Sequence, residues 1–166
     1  MSILPQRGVR INVLMYEDLL DLFEIIGTLE SQVVFTVFDQ ITNNKINHMK
    51  RFNRTMEQSI DKGKNRNFHE TNILFHKVFL DLSGNRELTN YVNNLKLRLF
   101  GFALKSYRER FKRAIVAEHD MFISLLKEGD RKSAADYLKD VHWKFNYPDN
   151  FIRPDTVING RSGTVQ

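Results

Sequence analysis

The stretch Asn67–Asn85, NFHETNILFHKVFLDLSGN, decides the fold. Phe68, Phe75, Phe79 and Leu82 recur in it at steps of three and four residues or multiples of them, the period of an amphipathic helix. Asn72 and His76 stand four residues apart, about 40° from each other around a helix of about 3.6 residues per turn. Both lie on or beside the apolar stripe, so both are expected to point inward. Ser83-Gly84-Asn85 closes the stretch. Gly84 suits a left-handed C-terminal position, and Asn85 suits the N-cap of a following helix. A polar pair aimed at a core needs partners, and the rest of the chain offers candidates.

The helical period recurs on both sides. Upstream, Leu19, Leu20, Phe23, Ile26 and Leu29 form a stripe that starts near Tyr16, with Glu17 and Asp18 placed for a helix N-terminus. Gly27 marks an expected bend, and the pattern resumes through Val33, Val34 and Phe38. A more polar helix runs from Thr42 to about Ile60, followed by the break Asp61–Asn65. Downstream, one helix is expected from Arg86 to about Ser106 and another from Tyr107 to Glu128. A last one runs from Arg131 to about Phe145 after the Gly129-Asp130 turn. Ahead of these, Val9, Ile11 and Val13 alternate after Gln6-Arg7-Gly8, a short strand signal. After Pro148 the periodicity is lost. The expectation is an all-α antiparallel bundle of six to seven helices over 15–147, with a short extended segment at 1–14 and an extended tail at 148–166.

Composition narrows the function. A chain of 166 residues is one domain by default, long enough for a sizeable core. With no Cys, any transition metal must use His and oxygen ligands. No apolar run approaches the roughly 20 residues of a membrane span, and no signal-peptide pattern opens the chain. A cytoplasmic protein without membrane contact is expected. The net charge of +5 mildly favours anionic partners, either nucleic acid or small carboxylates, beside the plainer reading of a solvated basic surface.

Three of the five His, namely His76, His119 and His142, fall on the apolar stripes of three different helices. Taken singly, each reads as a hydrogen-bonded core histidine. Three inward imidazoles without evident carboxylate partners are costly unless they meet one another or a metal. Neutral imidazole suits zinc, nickel and similar divalent ions, and Asn72 adds an amide oxygen one turn before His76. His69, two turns before His76, reads either as lining the same cavity or as surface, and His48 reads as surface.

These residues carry a family resemblance. FHKVFLDLSGN, then EHDMFISLLKEGD, then an Ala-containing helix that reaches His142, resembles the FCD domain, the C-terminal effector domain of the FadR subgroup of GntR-type bacterial transcription regulators. The family pattern runs Asp-x3-His ahead of Gly-Asn, Glu-His ahead of Gly-Asp, then a final His. The resemblance extends from Tyr16 to Phe145. LPQRG with the following alternation resembles the last strand of the family's winged helix-turn-helix domain, and nothing else here resembles its recognition helix.

The resemblance implies a helical, homodimeric domain enclosing a metal-linked pocket for a small organic acid. By motif the metal positions are Asn72, His76, His119 and His142. Effector binding would shift the dimer between arrangements of different DNA affinity, with operator DNA contacted through the winged-helix domain. Two departures matter. Asn72 stands where the family usually has Asp, which replaces a charged ligand by a neutral one. Ile26 stands where an Arg often pairs with the effector carboxylate. Arg98 is a candidate replacement cation, with a plain surface role as its alternative.

Two rival readings follow from the same residues. A metal-dependent hydrolase would need a general base, for which Glu118 and Glu70 are nearest in sequence. Glu118 adjoins His119 and so points about 100° away from it on a helix. A direct nucleic-acid binder would use Lys96, Arg98, Lys105, Arg108, Arg110, Lys112 and Arg113, which are spread around the helices rather than along one face.

Overall fold

The computed structural model describes residues 16–144. The expected strand over residues 9–13 and the tail from 148 lie outside them. Six α-helices follow one another through short connections: α1 (Tyr16–Val37), α2 (Asn43–Asp61), α3 (Asn65–Leu80), α4 (Arg86–Ser106), α5 (Glu109–Glu128) and α6 (Arg131–Tyr137). A 3-10 turn, Phe38–Gln40, follows α1, and a π-turn, Leu138–His142, extends α6. Among the described residues there is no strand. This is an all-α bundle, as the periodicity requires.

The helix ends follow local chemistry. The Asn85 side-chain oxygen accepts the Leu88 amide at 3.0 Å and caps α4. Asp130 does the same for α6 through the Ser133 amide at 2.9 Å. Gly129, at φ +82°, takes the left-handed position after α5, where a side chain would be strained. Gly84 does not take that conformation: α3 stops at Leu80, and the residues after it turn without a left-handed step.

The core is one cluster that joins α1 through Leu22, Phe23, Ile26 and Val34, α3 through Phe68, Phe75 and Phe79, and α5 through Ile115 and Phe122. Leu22, not Leu20, continues the inward stripe of α1, and Leu20 is exposed. α1 runs without interruption through Gly27. Gly27 is a close-packing point: a Cβ there would stand 2.6 Å from the Cβ of Trp143. The missing side chain lets the segment after α6 lie directly on α1.

That segment also departs from simple helical spacing. In the π-turn the Trp143 amide donates to the Leu138 carbonyl at 2.8 Å, one residue further back than in an α-helix. The wider turn brings two consecutive side chains, His142 and Trp143, into the interior, where both are buried. An unbroken α-helix would separate them by about 100°.

Gly27→Ala should force Trp143 and α1 apart. The expected loss of stability is about 1–3 kcal/mol, read as a lowered urea midpoint, and a wild-type midpoint would contradict this packing.

Candidate metal centre and adjoining cavity

Three helical segments each deliver one imidazole to the same point. His76 comes from α3, His119 from α5 and His142 from the π-turn, and all three are buried. One ring nitrogen from each lies within 4.8 Å of the others. Ring packing fixes the planes: Phe75 stacks on His119 at 3.7 Å with 5° between the rings.

Each imidazole has its Nδ1 engaged. His76 Nδ1 meets Glu30 Oε2 at 2.7 Å, and His142 Nδ1 meets Glu118 Oε2 at 2.9 Å. His119 Nδ1 meets Asn53 Oδ1 at 3.1 Å. The Asn53 amide nitrogen donates to the Val116 carbonyl and to Asp120 Oδ1, so its oxygen must face His119 as an acceptor. Every partner is therefore an acceptor, and in the neutral rings each Nδ1 carries the proton. That leaves the three Nε2 lone pairs directed at one another, with His76 and His142 Nε2 at 3.3 Å and His119 Nε2 without a protein partner. Facing lone pairs repel, and a shared cation removes the repulsion. Two nitrogens at ~2.1 Å from a tetrahedral ion stand about 3.4 Å apart, which the His76–His142 separation matches. The donor set fits a divalent ion, and the Nδ1 acceptors are the supports that orient ligating histidines.

Burial keeps His76 and His119 neutral. It pushes His76 down to about 3, opposed by the Glu30 carboxylate, and it pushes His119 well below the usual range. The absence of carboxylate partners expected for these histidines is thus corrected. Glu30 and Glu118 come from α1 and α5 and become partners only when the helices pack.

Glu30 is fully buried and serves three groups. Its Oε2 accepts from His76 Nδ1 and from Trp143 Nε1 at 2.8 Å, and its Oε1 pairs with Lys96. Burial alone would raise its carboxyl, but the hydrogen bond from His76 and the charge of Lys96 override this and hold it at about 2.

Beside the centre lies a partly open cavity of about 30 Å³. One wall is the α3 face of His69, Asn72, Ile73 and His76, and the other is the α4 face that begins at Lys96. Asn72 Oδ1 is buried without a partner there, available as a further oxygen donor. His69 lines the same cavity, hydrogen-bonds the Ala103 carbonyl and keeps a buried, unpartnered Nε2. Arg98 is exposed and outside the lining, because two residues along a helix turn it about 200° from Lys96. Lys96 is the cation that the cavity contains. His48 is exposed.

The FCD domain family matches residues 21–141. The chain belongs to this family. The FCD domain is the C-terminal effector-binding domain of GntR-family regulators, and FCD domains often bind a metal. Comparison with curated proteins and with solved structures returns no match. No helix among the described residues is long and apolar enough to cross a membrane.

Among the described residues, neither carboxylate that the hydrolase reading would use stands free at the centre. Glu118 is held by His142, and Glu70 pairs with Arg66 on the exposed side of α3. In the cation run of α4 and α5, Arg98, Arg108 and Arg110 are exposed, and three others are already engaged or covered. Lys96 and Lys112 are buried, and Arg113 pairs with Glu109 and Asp61.

Sequence reading missed Glu30, Lys96, Asn53 and Trp143. The first three carried a usable signal, since each interrupts an apolar stripe at helical spacing: Ile26-Glu30-Val34, Val92-Lys96-Leu99 and Met49-Asn53-Met56. Trp143 carried none, because its inward direction arises from the π-turn.

Acid should destabilise the metal-stripped domain. His76 falls from 6.5 to about 3 on folding, so the unfolded chain takes up this proton first as pH drops. Stability should decline from about pH 6.5 toward 3, and Glu30 adds a loss in the same direction from 4.5 toward about 2. Urea midpoints that stay level between pH ~7 and ~4 would contradict the neutral, buried assignment.

Proposed function

We propose that this FCD domain is the effector-sensing, dimerising part of a cytoplasmic FadR-type GntR regulator. It holds one divalent ion, zinc or nickel, at His76, His119, His142 and Asn72. A small organic acid enters the adjoining cavity, which His69 helps to line, and reaches the ion at a position the protein ligands leave open. One observation carries this reading: three imidazoles with their Nδ1 atoms engaged point three bare Nε2 atoms at one place.

The ion supplies Lewis acidity toward an oxygen donor of the effector. The chain's own residues do the rest. Glu30, Asn53 and Glu118 hold the imidazoles in the ligating tautomer. The α3 and α4 faces exclude water from the acid. Binding that prefers one arrangement of the homodimer shifts the population toward it, by no more than its difference in affinity for the two arrangements. Operator DNA is engaged through a winged-helix domain rather than through the described helices.

Zinc or nickel preferences follow from neutral nitrogen donors and one amide oxygen. An amide oxygen is a weaker ligand than carboxylate, so the ion is held less tightly than with Asp at position 72.

Elemental analysis of the purified protein should find about one zinc or nickel per chain, and a chelator should lower the melting temperature. His119→Ala should reduce metal affinity at least ~10-fold and abolish the chelator effect on melting. Asn72→Asp should tighten the metal. Unchanged metal content in His119→Ala would remove the three-imidazole site, and weaker binding in Asn72→Asp would place residue 72 outside the ligand set.

A further inference from the structure

We infer that Lys96 is the anion anchor of the cavity and that the acid it selects carries a single carboxylate on an apolar body. This rests on the cavity being the effector site, and it names the ligand class and the residue that determines it.

The Lys96 ammonium is buried, and Lys96 lines the cavity together with His76 and Asn72. Its ion pair is with Glu30 Oε1, and it lies 5.5 Å from the centre of the Trp143 ring. An ammonium has three N–H donors, and Glu30 is the one hydrogen-bonding partner of Nζ among the described residues. Glu30 cannot follow an incoming ligand, because its other oxygen is held by His76 and Trp143. Lys96 can, since its ammonium ends a flexible four-carbon stem. It can keep Glu30 on one side and accept a carboxylate on the other.

The remaining lining sets the body of the ligand. Away from Lys96 the walls are largely apolar, with Ile73, Leu99, Phe100 and Ala103. His69 is neutral at physiological pH, since burial and the charge of Lys112 hold it down at about 4. Ile26, fully buried on α1, supplies no cation, and Arg98 is turned outward. With one carboxylate shared between Lys96 and the ion, a second would lie against these walls without a counter-charge, at a large desolvation cost. The cavity of about 30 Å³ has room for about one water. A ligand therefore enters by displacing the half-buried Ile73 and Phe100, which favours short-chain or single-ring acids.

The test is calorimetric titration of the full chain loaded with nickel or zinc, using benzoate and hexanoate against succinate and glutarate. At least one monocarboxylate should bind ≥ ~10-fold more tightly than either dicarboxylate. Lys96→Met should weaken it by at least ~10-fold with the metal content unchanged, and Lys96→Arg should keep most of the affinity. Should Lys96→Met fail to fold with Glu30 left unpaired, Lys96→Gln, whose amide can still donate to Glu30, removes the charge and serves instead. Equal or tighter dicarboxylate binding, no binding of any of the four acids, or full affinity without the Lys96 charge would each overturn the inference. A wild-type chain without metal whose monocarboxylate binding still depends on Lys96 would overturn the metal reading and leave this one standing.

Discussion

The buried carboxylate of Glu30 is the constraint around which the interior is arranged. A fully desolvated charge is tolerated only when its oxygens are completely engaged. Three elements meet that demand at once: α3 through His76, α4 through Lys96, and the end of the π-turn through Trp143. The same contacts set the tautomer of one candidate ligand, place a cation in the cavity and pin the C-terminal segment to α1. Gly27, one turn before Glu30, makes the last contact sterically possible. Packing and site chemistry thus meet at one residue.

Around that residue the polar interior divides into two layers. The outer layer, Glu30, Asn53 and Glu118, is made of acceptors that hold the Nδ1 protons. The inner layer offers only lone pairs, from three Nε2 atoms and the Asn72 amide oxygen. Such an inner set brings no charge of its own. A divalent ion held by neutral donors keeps its full positive charge, which increases its attraction for an anionic effector oxygen. In the proposed reading, the Asp-to-Asn departure from the family pattern would weaken the hold on the ion and strengthen the pull on the acid. The absent Arg at position 26 and the buried Lys96 would belong to the same balance, with α4 instead of α1 contributing the cation.

The bundle also separates this polar centre from the surface charges. The exposed ion pairs, such as Arg66 with Glu70 and Lys132 with Asp136, are one-turn helix contacts worth little individually. The buried groups are each tied to a different helix. Their geometry depends on the whole tertiary arrangement, which is the coupling a ligand-responsive domain requires.

Helical periodicity in the sequence determined the all-α fold, the order of the helices and the caps at Asn85 and Gly129, because these depend on near neighbours in the chain. The ordered motif around His76, His119 and His142 marked the family and the candidate ligands. Three further signals were present and unread, since Glu30, Asn53 and Lys96 each break an apolar stripe. A polar residue on a stripe shows that a partner must exist and does not name it. Tertiary structure alone decided those partners: Glu30 for His76 across 46 positions, Glu118 for His142 instead of its neighbour His119, and Asn53 for His119. It also decided that Gly27 is a contact, and that a π-turn brings Trp143 inward. These outcomes depend on which helices meet and at what register, and that is settled by burying apolar surface and satisfying buried charge over the whole domain at once.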